Sequence, residues 1–524
     1  MSPRTSQIPT ASIPVHRYKP KTASYVSGSP LRTLIFGTIG SLLVMFASFG
    51  VGWLADASPF RRVDWIIPLR YTAPGLITCI TLLVVGSMML CREWLRMVQK
   101  LLVWDHRAKR WATAAIICWM LPQLFAFPLY SRDVFSYFAQ GRVMASGLNP
   151  YEYGVSSVNN FFQYGADQMW SESAPPYGPI FLLIEKWVAQ IAGDSVDTAL
   201  YLFRFVALVG VGLIAYYVPK LAKLHGINGT RANWLVLANP LFIAAFITSS
   251  HNDALMTGLV LAGVYHAAAR RDLVGGLLGI TLVTAAVAVK PIALVALPFI
   301  GLFWAGRGAS WPRRFVFWAM TLAISMVQLW ALGAATDLGF GWIGALATTG
   351  GQYIWFTPIG FLGLQINQIL VSITGDNALA NSVRDTFFSL GKLAGMIMAV
   401  VVMFVGKDEN LIRRTGLALA MVVIFSPMLQ SWYLLWFIPL FVAAGVRTDW
   451  QLDFYFLTTM FFVMYGVSDQ LAVSPYLDNF DQNMGRLIAA VLSIAYAFWL
   501  VFFDPATRRV LRRGQRSALY EVAI

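Results

Sequence analysis

Long apolar stretches separated by short polar segments recur along the chain from about residue 33 to residue 503. Stretches of roughly 20 apolar residues can cross a hydrocarbon core about 30 Å thick as α-helices. About fourteen crossings fit this pattern, at residues 33–54, 73–91, 112–130, 198–218, 232–249, 253–269, 274–289, 291–305, 315–334, 388–405, 411–427, 433–446, 452–468 and 487–503. The sequence therefore predicts an all-α polytopic membrane protein with about 13 to 15 transmembrane helices.

Composition agrees with this fold class. The 524 residues are 58% hydrophobic and 12% charged, whereas soluble domains carry about 25% charged residues. The cations behind the net charge of +14 cluster in short loops between apolar segments, so they indicate topology and not a nucleic-acid partner. The cysteines lack paired spacing, so neither a disulfide framework nor a zinc site is predicted.

The distribution of lysine and arginine predicts the orientation. Six cations between the second and third predicted spans place that loop in the cytoplasm. The third span then delivers residues 131–177, the one long polar segment, to the outer side. We interpret residues 179–192 and 358–374 as re-entrant or interfacial, because full crossings there would put several cations outside. The predicted organisation is a disordered basic cytoplasmic tail at 1–32, a transmembrane domain at 33–505 and a basic cytoplasmic tail at 506–524.

The outer segment begins with a candidate catalytic residue, Asp133. If this region is helical, Asp133, Tyr137 and Gln140 share a face by their spacing. A carboxylate there is suited to act as a general base, which must accept a proton within hydrogen-bond distance. The alternative is that Asp133 caps the helix and pairs with Arg132. Tyr151 and Tyr177, in turn-rich parts of the same segment, are candidates to stack on sugar rings, although interfacial tyrosines are often architectural.

Further polar residues emerge at span ends on the same side. His251, Asn252 and Asp253 are candidates to bind a sugar hydroxyl or a phosphate, with helix capping as the alternative. One histidine and one aspartate fall short of a recognisable metal site, and a divalent cation requirement is left open. Gln430 and Tyr433 are further candidates for substrate contact, beside tryptophans that an interfacial aromatic belt explains.

Besides Lys392, two cations lie at or within apolar segments on the outer half, Arg204 and Lys290. Ionisable residues at membrane depth are costly and usually face a cavity or a partner. A lipid phosphate is such a partner for either side chain, and Arg142 is placed to assist from the outer segment. The alternative is that these side chains extend to the headgroups.

A family resemblance rests on six segments, which are Ser131–Gly141, Gly147–Tyr151, Pro175–Pro179, His251–Met256, Lys290–Pro291 and Gln430–Trp436. Together they resemble the polyprenyl-phosphomannose-dependent α-1,6-mannosyltransferases of mycolic-acid bacteria, which have the C-type glycosyltransferase fold. The resemblance implies a helical bundle whose large first outer loop supplies the base, here Asp133. It implies inverting transfer of mannose from polyprenyl-phosphomannose to a lipid-anchored mannan, the backbone of lipomannan and lipoarabinomannan, at the outer face of a bacterial plasma membrane.

Two other functions stay open. A transporter or flippase of lipid-linked sugars would need polar residues along a path to the cytoplasmic side, whereas this sequence groups them at one face. An arabinosyltransferase of the same fold is the nearest biochemical alternative. The sequence does not distinguish proximal from distal mannan elongation, nor does it give the oligomeric state.

Overall fold

The computed structural model describes residues 29–101, 104–348, 353–446, 450–475, 477–505 and 507–508, and the regular secondary structure in these ranges is helical. The predicted tails at 1–32 and 506–524 lie almost entirely outside the described residues. The all-α class predicted from the apolar pattern is thereby confirmed for the described residues.

The first half of the described chain contains eleven α-helices. They are α1 Pro30–Val51, α2 Ile67–Tyr71, α3 Ala73–Lys100, α4 His106–Gln123, α5 Asp133–Ala145, α6 Pro179–Ala192, α7 Val196–Leu224, α8 Gly229–Leu237, α9 Pro240–Phe242, α10 Asp253–Arg270 and α11 Leu273–Val289. A π-helical turn, Ile243–Thr248, continues α9. Short 3₁₀ turns lie at Pro59–Arg62, Val155–Ser157 and Gln168–Trp170.

The second half adds nine α-helices in the described residues. They are α12 Leu297–Ala305, α13 Trp311–Ala335, α14 Gly341–Thr348, α15 Pro358–Thr374, α16 Asn377–Phe404, α17 Leu411–Ile424, α18 Ile438–Ala443, α19 Trp450–Asp469 and α20 Gln482–Phe502. The 3₁₀ turns here are Pro291–Ala296, Asp408–Asn410 and Ser431–Trp436.

Six helices of the described chain, α1, α3, α7, α13, α16 and α20, are long and apolar enough to cross a membrane. The pair formed by α8 and the segment Pro240–Thr248 adds a seventh if it is one span, bent by 55°. Helices α6 and α15, which we interpreted as re-entrant or interfacial, are shorter than the roughly 20 residues of a full crossing. The total of 13 to 15 crossings stays a prediction.

Two predicted spans differ from the helices in ways that shape the site. The span at 112–130 ends as a helix at Gln123, one residue after a proline, and the chain continues through an irregular segment to Tyr130. The span at 232–249 breaks at Asn239, whose side chain caps the turn that starts at Pro240. The chain leaves helical geometry after Gln123, and it does so again after Thr248, where the π-helical turn ends. The polar residues 131–133 and 251–253 therefore each follow the end of a helical segment.

Close helix packing holds these segments together. A Cβ atom on Gly210 of α7 would lie 2.2 Å from the carbonyl carbon of Ala254 in α10, so only glycine permits this approach. A Cβ atom on Gly141 of α5 would likewise lie 2.1 Å from the carbonyl oxygen of Glu185 in α6. The first turn of α10 is therefore packed tightly against α7, and the second half of α5 is packed tightly against α6.

Candidate active site

Helix α5 begins at Asp133 and runs to Ala145, which confirms that Asp133, Tyr137 and Gln140 share a helical face. The alternative interpretation made Asp133 the helix cap and the partner of Arg132, but other residues make those contacts in the structure. The hydroxyl of Ser131 accepts the bond from the backbone N–H of Asp133. The guanidinium of Arg132 donates to the carbonyls of Gly165 and Ala166, at 2.9 and 3.0 Å. The side chain of Asp133, at the start of the helix, is 31% exposed.

The side chain beside this carboxylate is that of His251, which is fully buried. Its Nδ1 atom lies 3.7 Å from Oδ2 of Asp133, 3.4 Å from the hydroxyl of Tyr137 and 4.0 Å from Oδ2 of Asp253. The imidazole stacks on the indole of Trp432, with ring centroids 4.0 Å apart. Burial lowers the pKa of His251, although the two carboxylates oppose that shift. Burial therefore favours the neutral form of the imidazole.

A cation lies beside this group. Lys290 ends α11 in an extended conformation, as expected for a residue before proline. Its Nζ donates to both carboxylate oxygens of Asp253, at 2.8 and 2.9 Å, and the Asp253 carboxylate also accepts from the indole N–H of Trp436. The ammonium lies 5.4–5.7 Å from the ring centroids of Tyr177, Tyr433 and Trp436, within the range of cation–π attraction.

The remaining predicted substrate contacts surround these two groups. Tyr177 packs edge-on against Tyr137, while the hydroxyl of Tyr151 donates to the backbone carbonyl of Tyr177 at 2.6 Å. Tyr151 therefore fixes the proline-rich turn. Asn252 is buried and makes no capping bond, and neither polar atom of its amide has a hydrogen-bond partner among the described residues. Gln140 is also buried.

Gln430, by contrast, is half-buried and caps the 3₁₀ turn that carries the aromatic residues 432, 433 and 436 through its backbone. The sequence interpretation missed the role of Trp432 and Trp436, which it assigned to an aromatic belt. The available sequence signal was the position of Trp432 beside the polar residues Gln430 and Ser431 at the end of a predicted span.

Two predicted phosphate ligands lie apart from this cluster. Arg142 is in the last turn of α5, about 13 Å along the helix from Asp133 at 1.5 Å per residue. It pairs with Asp194 at 2.9 Å and covers the ring of Tyr164. Arg204 is buried in α7, and its guanidinium donates to backbone carbonyls. Of the three predicted cations, the structure brings Lys290 alone into the cluster.

The arrangement combines a partly exposed carboxylate, that of Asp133, with a cation that is largely shielded from solvent, that of Lys290. A carboxylate that solvent or a hydroxyl can reach is suited to accept a proton. A fixed cation in a water-poor site stabilises negative charge as it develops on a nearby group. Within the described residues no three histidine, cysteine, aspartate or glutamate side chains group as metal ligands. The geometry therefore fits a transfer reaction in which one reactant loses a proton and the other releases an anion.

Comparison with known proteins agrees with this chemistry. Residues 34–306 match the family model described as alpha-(1->6)-mannopyranosyltransferase, N-terminal domain, and residues 359–503 match the MptB C-terminal domain. A Mycolicibacterium smegmatis protein named Probable alpha-(1->6)-mannopyranosyltransferase is 30% identical, over 93% of this chain and 92% of its own. Alpha-(1->6)-mannopyranosyltransferase A of Mycobacterium tuberculosis is 29% identical over 80% of each chain. No solved structure was found to match.

Proposed function

The chain belongs to the alpha-(1->6)-mannopyranosyltransferase family, and on that premise we propose what its site does. It transfers mannose from polyprenyl-phosphomannose to a lipid-anchored α-1,6-mannan, with inversion at the anomeric carbon, on the outer face of the plasma membrane. The observation that carries this proposal is the convergence of Asp133, His251 and Lys290. They come from three separate segments, and their contacts bring a partly exposed carboxylate and an ammonium group into one cluster.

In this mechanism Asp133 takes the proton from the acceptor hydroxyl. The freed oxygen attacks the anomeric carbon of the donor, and the bond from that carbon to the phosphate oxygen breaks. The partial exposure of Asp133 supports its role, because an incoming acceptor can reach it. His251 faces this carboxylate from the buried side, so the base can move little away from the acceptor.

Lys290 stabilises the phosphate as it leaves. Its side chain is 13% exposed, and it is held by the fully buried carboxylate of Asp253. The ammonium can share its third donor with a phosphate oxygen while Asp253 keeps the other two. The charge that grows on the phosphate then meets a cation that is already in place, which lowers the barrier without reorganisation. The aromatic rings of Tyr177 and Tyr433 lie near the same ammonium and are available to the sugar.

The donor is the feature that most needs a test, because an arabinosyltransferase and a flippase share the apolar helices. Purified protein should be incubated with mannosyl and with arabinosyl phosphopolyprenol, each with a short α-1,6-mannoside acceptor. We expect an elongated mannoside from the mannosyl donor, and product NMR should show the α-anomer. Product from the arabinosyl donor alone would contradict the proposal. Movement of either lipid across vesicle bilayers without sugar transfer would favour a flippase.

A further inference from the structure

The segments that deliver Asp133 and His251 are joined by one buried side chain, that of Arg204. Only 3% of Arg204 is exposed. Its guanidinium donates to the carbonyl of Leu124 at 2.5 Å, to that of Ala126, and to that of Thr248 at 3.3 Å. The first two carbonyls belong to the segment after α4, which leads to Asp133. The third ends the π-helical turn, three residues before His251.

Side-chain hydroxyls tie the same two segments a second time. Ser249 donates to the carbonyl of Leu129. The hydroxyl of Thr248 donates to the side-chain oxygen of Gln123 at 2.9 Å. Together with Arg204, these bonds cross-link residues 123–129 to residues 248–249 along their length. These bonds oppose sliding of the two segments past each other.

Both segments then turn through strained backbone. Tyr130 has φ of 67° and Ser250 has φ of 59°, and both residues are buried. This left-handed region is unfavourable for residues other than glycine, and it persists only where the surrounding structure enforces it. Each strained residue follows directly on a cross-linked stretch and precedes a residue of the site by one to three positions. The hydrogen bonds of Arg204, Thr248 and Ser249 are therefore in the right place to enforce both turns.

We propose that Arg204 is a positioning residue for sugar transfer, which clamps the two turns so that Asp133 and His251 face each other at a fixed distance. This inference rests on the proposed function, in which Asp133 is the base. It replaces the role of phosphate ligand for Arg204, because both terminal nitrogens of the guanidinium already donate to backbone carbonyls. Arg is suited to the task because its planar fork can bond several carbonyls at once, which the ammonium of lysine cannot do in the same geometry.

The test compares Arg204→Gln and Arg204→Lys with a matched control, Arg414→Gln. Arg414, at the start of α17, is also buried, and its guanidinium also donates to backbone carbonyls. Those carbonyls belong to Val402, Met403 and Gly406, outside the segments that carry Asp133 and His251. We expect kcat to fall about 10- to 100-fold in both Arg204 variants with an unchanged donor KM, as for a small misplacement of catalytic groups. Arg414→Gln should lose stability and keep the kcat of its folded fraction.

A measurement independent of activity accompanies the kinetics. Backbone amides of residues 129–133 and 248–252 should exchange hydrogen faster in Arg204→Gln than in Arg414→Gln. If Arg204→Gln does not fold, Ser249→Ala removes one tie and should show the same pattern with a smaller fall in kcat. A raised donor KM with normal kcat would overturn the clamp and restore the phosphate role. Wild-type kcat and exchange in the Arg204 variants would also overturn it. An active Asp133→Asn variant would instead refute the proposed base, whatever the exchange result.

Discussion

The ammonium of Lys290 lies between the two carboxylate oxygens of Asp253, at 2.8 and 2.9 Å, and the carboxylate is fully buried. Each charge is the direct partner of the other, so the pair is a structural unit before any substrate binds. Removing one partner of a buried pair leaves an uncompensated charge, which costs about 3–5 kcal/mol. Any phosphate that Lys290 binds must therefore share the ammonium with Asp253.

This pairing predicts a specific pattern for the single and double variants. Lys290→Gln and Asp253→Asn should each lower the unfolding temperature in detergent, because each leaves a buried charge unpaired. The double variant should regain most of that stability, since no net charge remains. It should still transfer mannose poorly, with a raised donor KM and a lower kcat, because the phosphate has lost its cation. A double variant with wild-type turnover would show that the pair serves the fold alone.

For the base, we predict that Asp133→Asn lowers kcat about 100-fold or more, because the amide cannot accept the proton of the acceptor hydroxyl. The side chain keeps its shape, so folding and membrane insertion should be unaffected. Glu172→Gln is the control, since it removes an exposed carboxylate from the same outer segment and should leave turnover unchanged. Turnover is measured at matched amounts of folded protein. Near-normal transfer by Asp133→Asn would refute the assignment.

The sequence predicts features of this site that depend on nearby residues in the chain, and it does not predict contacts between separate helices. Asp133 and its helical face were predicted because a period of 3.6 residues is a local property. The sequence indicates that Lys290 faces a partner, and in the structure that partner is Asp253. No local sequence pattern indicates the contact between Lys290 and Asp253, because it depends on how α10 and α11 pack.

Arg204 shows a second limit of the sequence. A buried cation in an apolar span suggested an anionic ligand, whereas its partners are backbone carbonyls at two helix breaks. Carbonyls are present at every residue, so they leave no sequence signal until the breaks are known. The same limit applies to Trp432, because a stacking partner of His251 and a member of an interfacial belt look alike in sequence.

The orientation of the chain gives a third prediction. Cysteines introduced at Ser157 and Asp478, both exposed, should label with an impermeant thiol reagent in intact cells stripped of their wall. A cysteine at His106, exposed in the predicted cytoplasmic loop, should label only after permeabilisation. Each cysteine should be introduced into a variant from which Cys118 has been removed, because Cys118 is the least buried native cysteine. The positive-inside rule is the reason for this arrangement, and labelling of only one outer position would refute our interpretation of the segments at 179–192 and 358–374.

The last prediction uses two glycines of α7 that differ in their surroundings. A Cβ atom on Gly210 would lie 2.2 Å from the carbonyl carbon of Ala254 and 2.3 Å from the nitrogen of Leu255, whereas a Cβ atom on Gly212 meets nothing within 4 Å. Alanine favours a helix over glycine by about 1 kcal/mol, so Gly212→Ala should be neutral or slightly stabilising and fully active. Gly210→Ala should push the first turn of α10 away, which moves Asp253 and with it Lys290. We therefore expect a lower unfolding temperature and a raised donor KM for Gly210→Ala, measured beside Gly212→Ala. Equal behaviour of the two variants would mean that the position of α10 does not control the donor site.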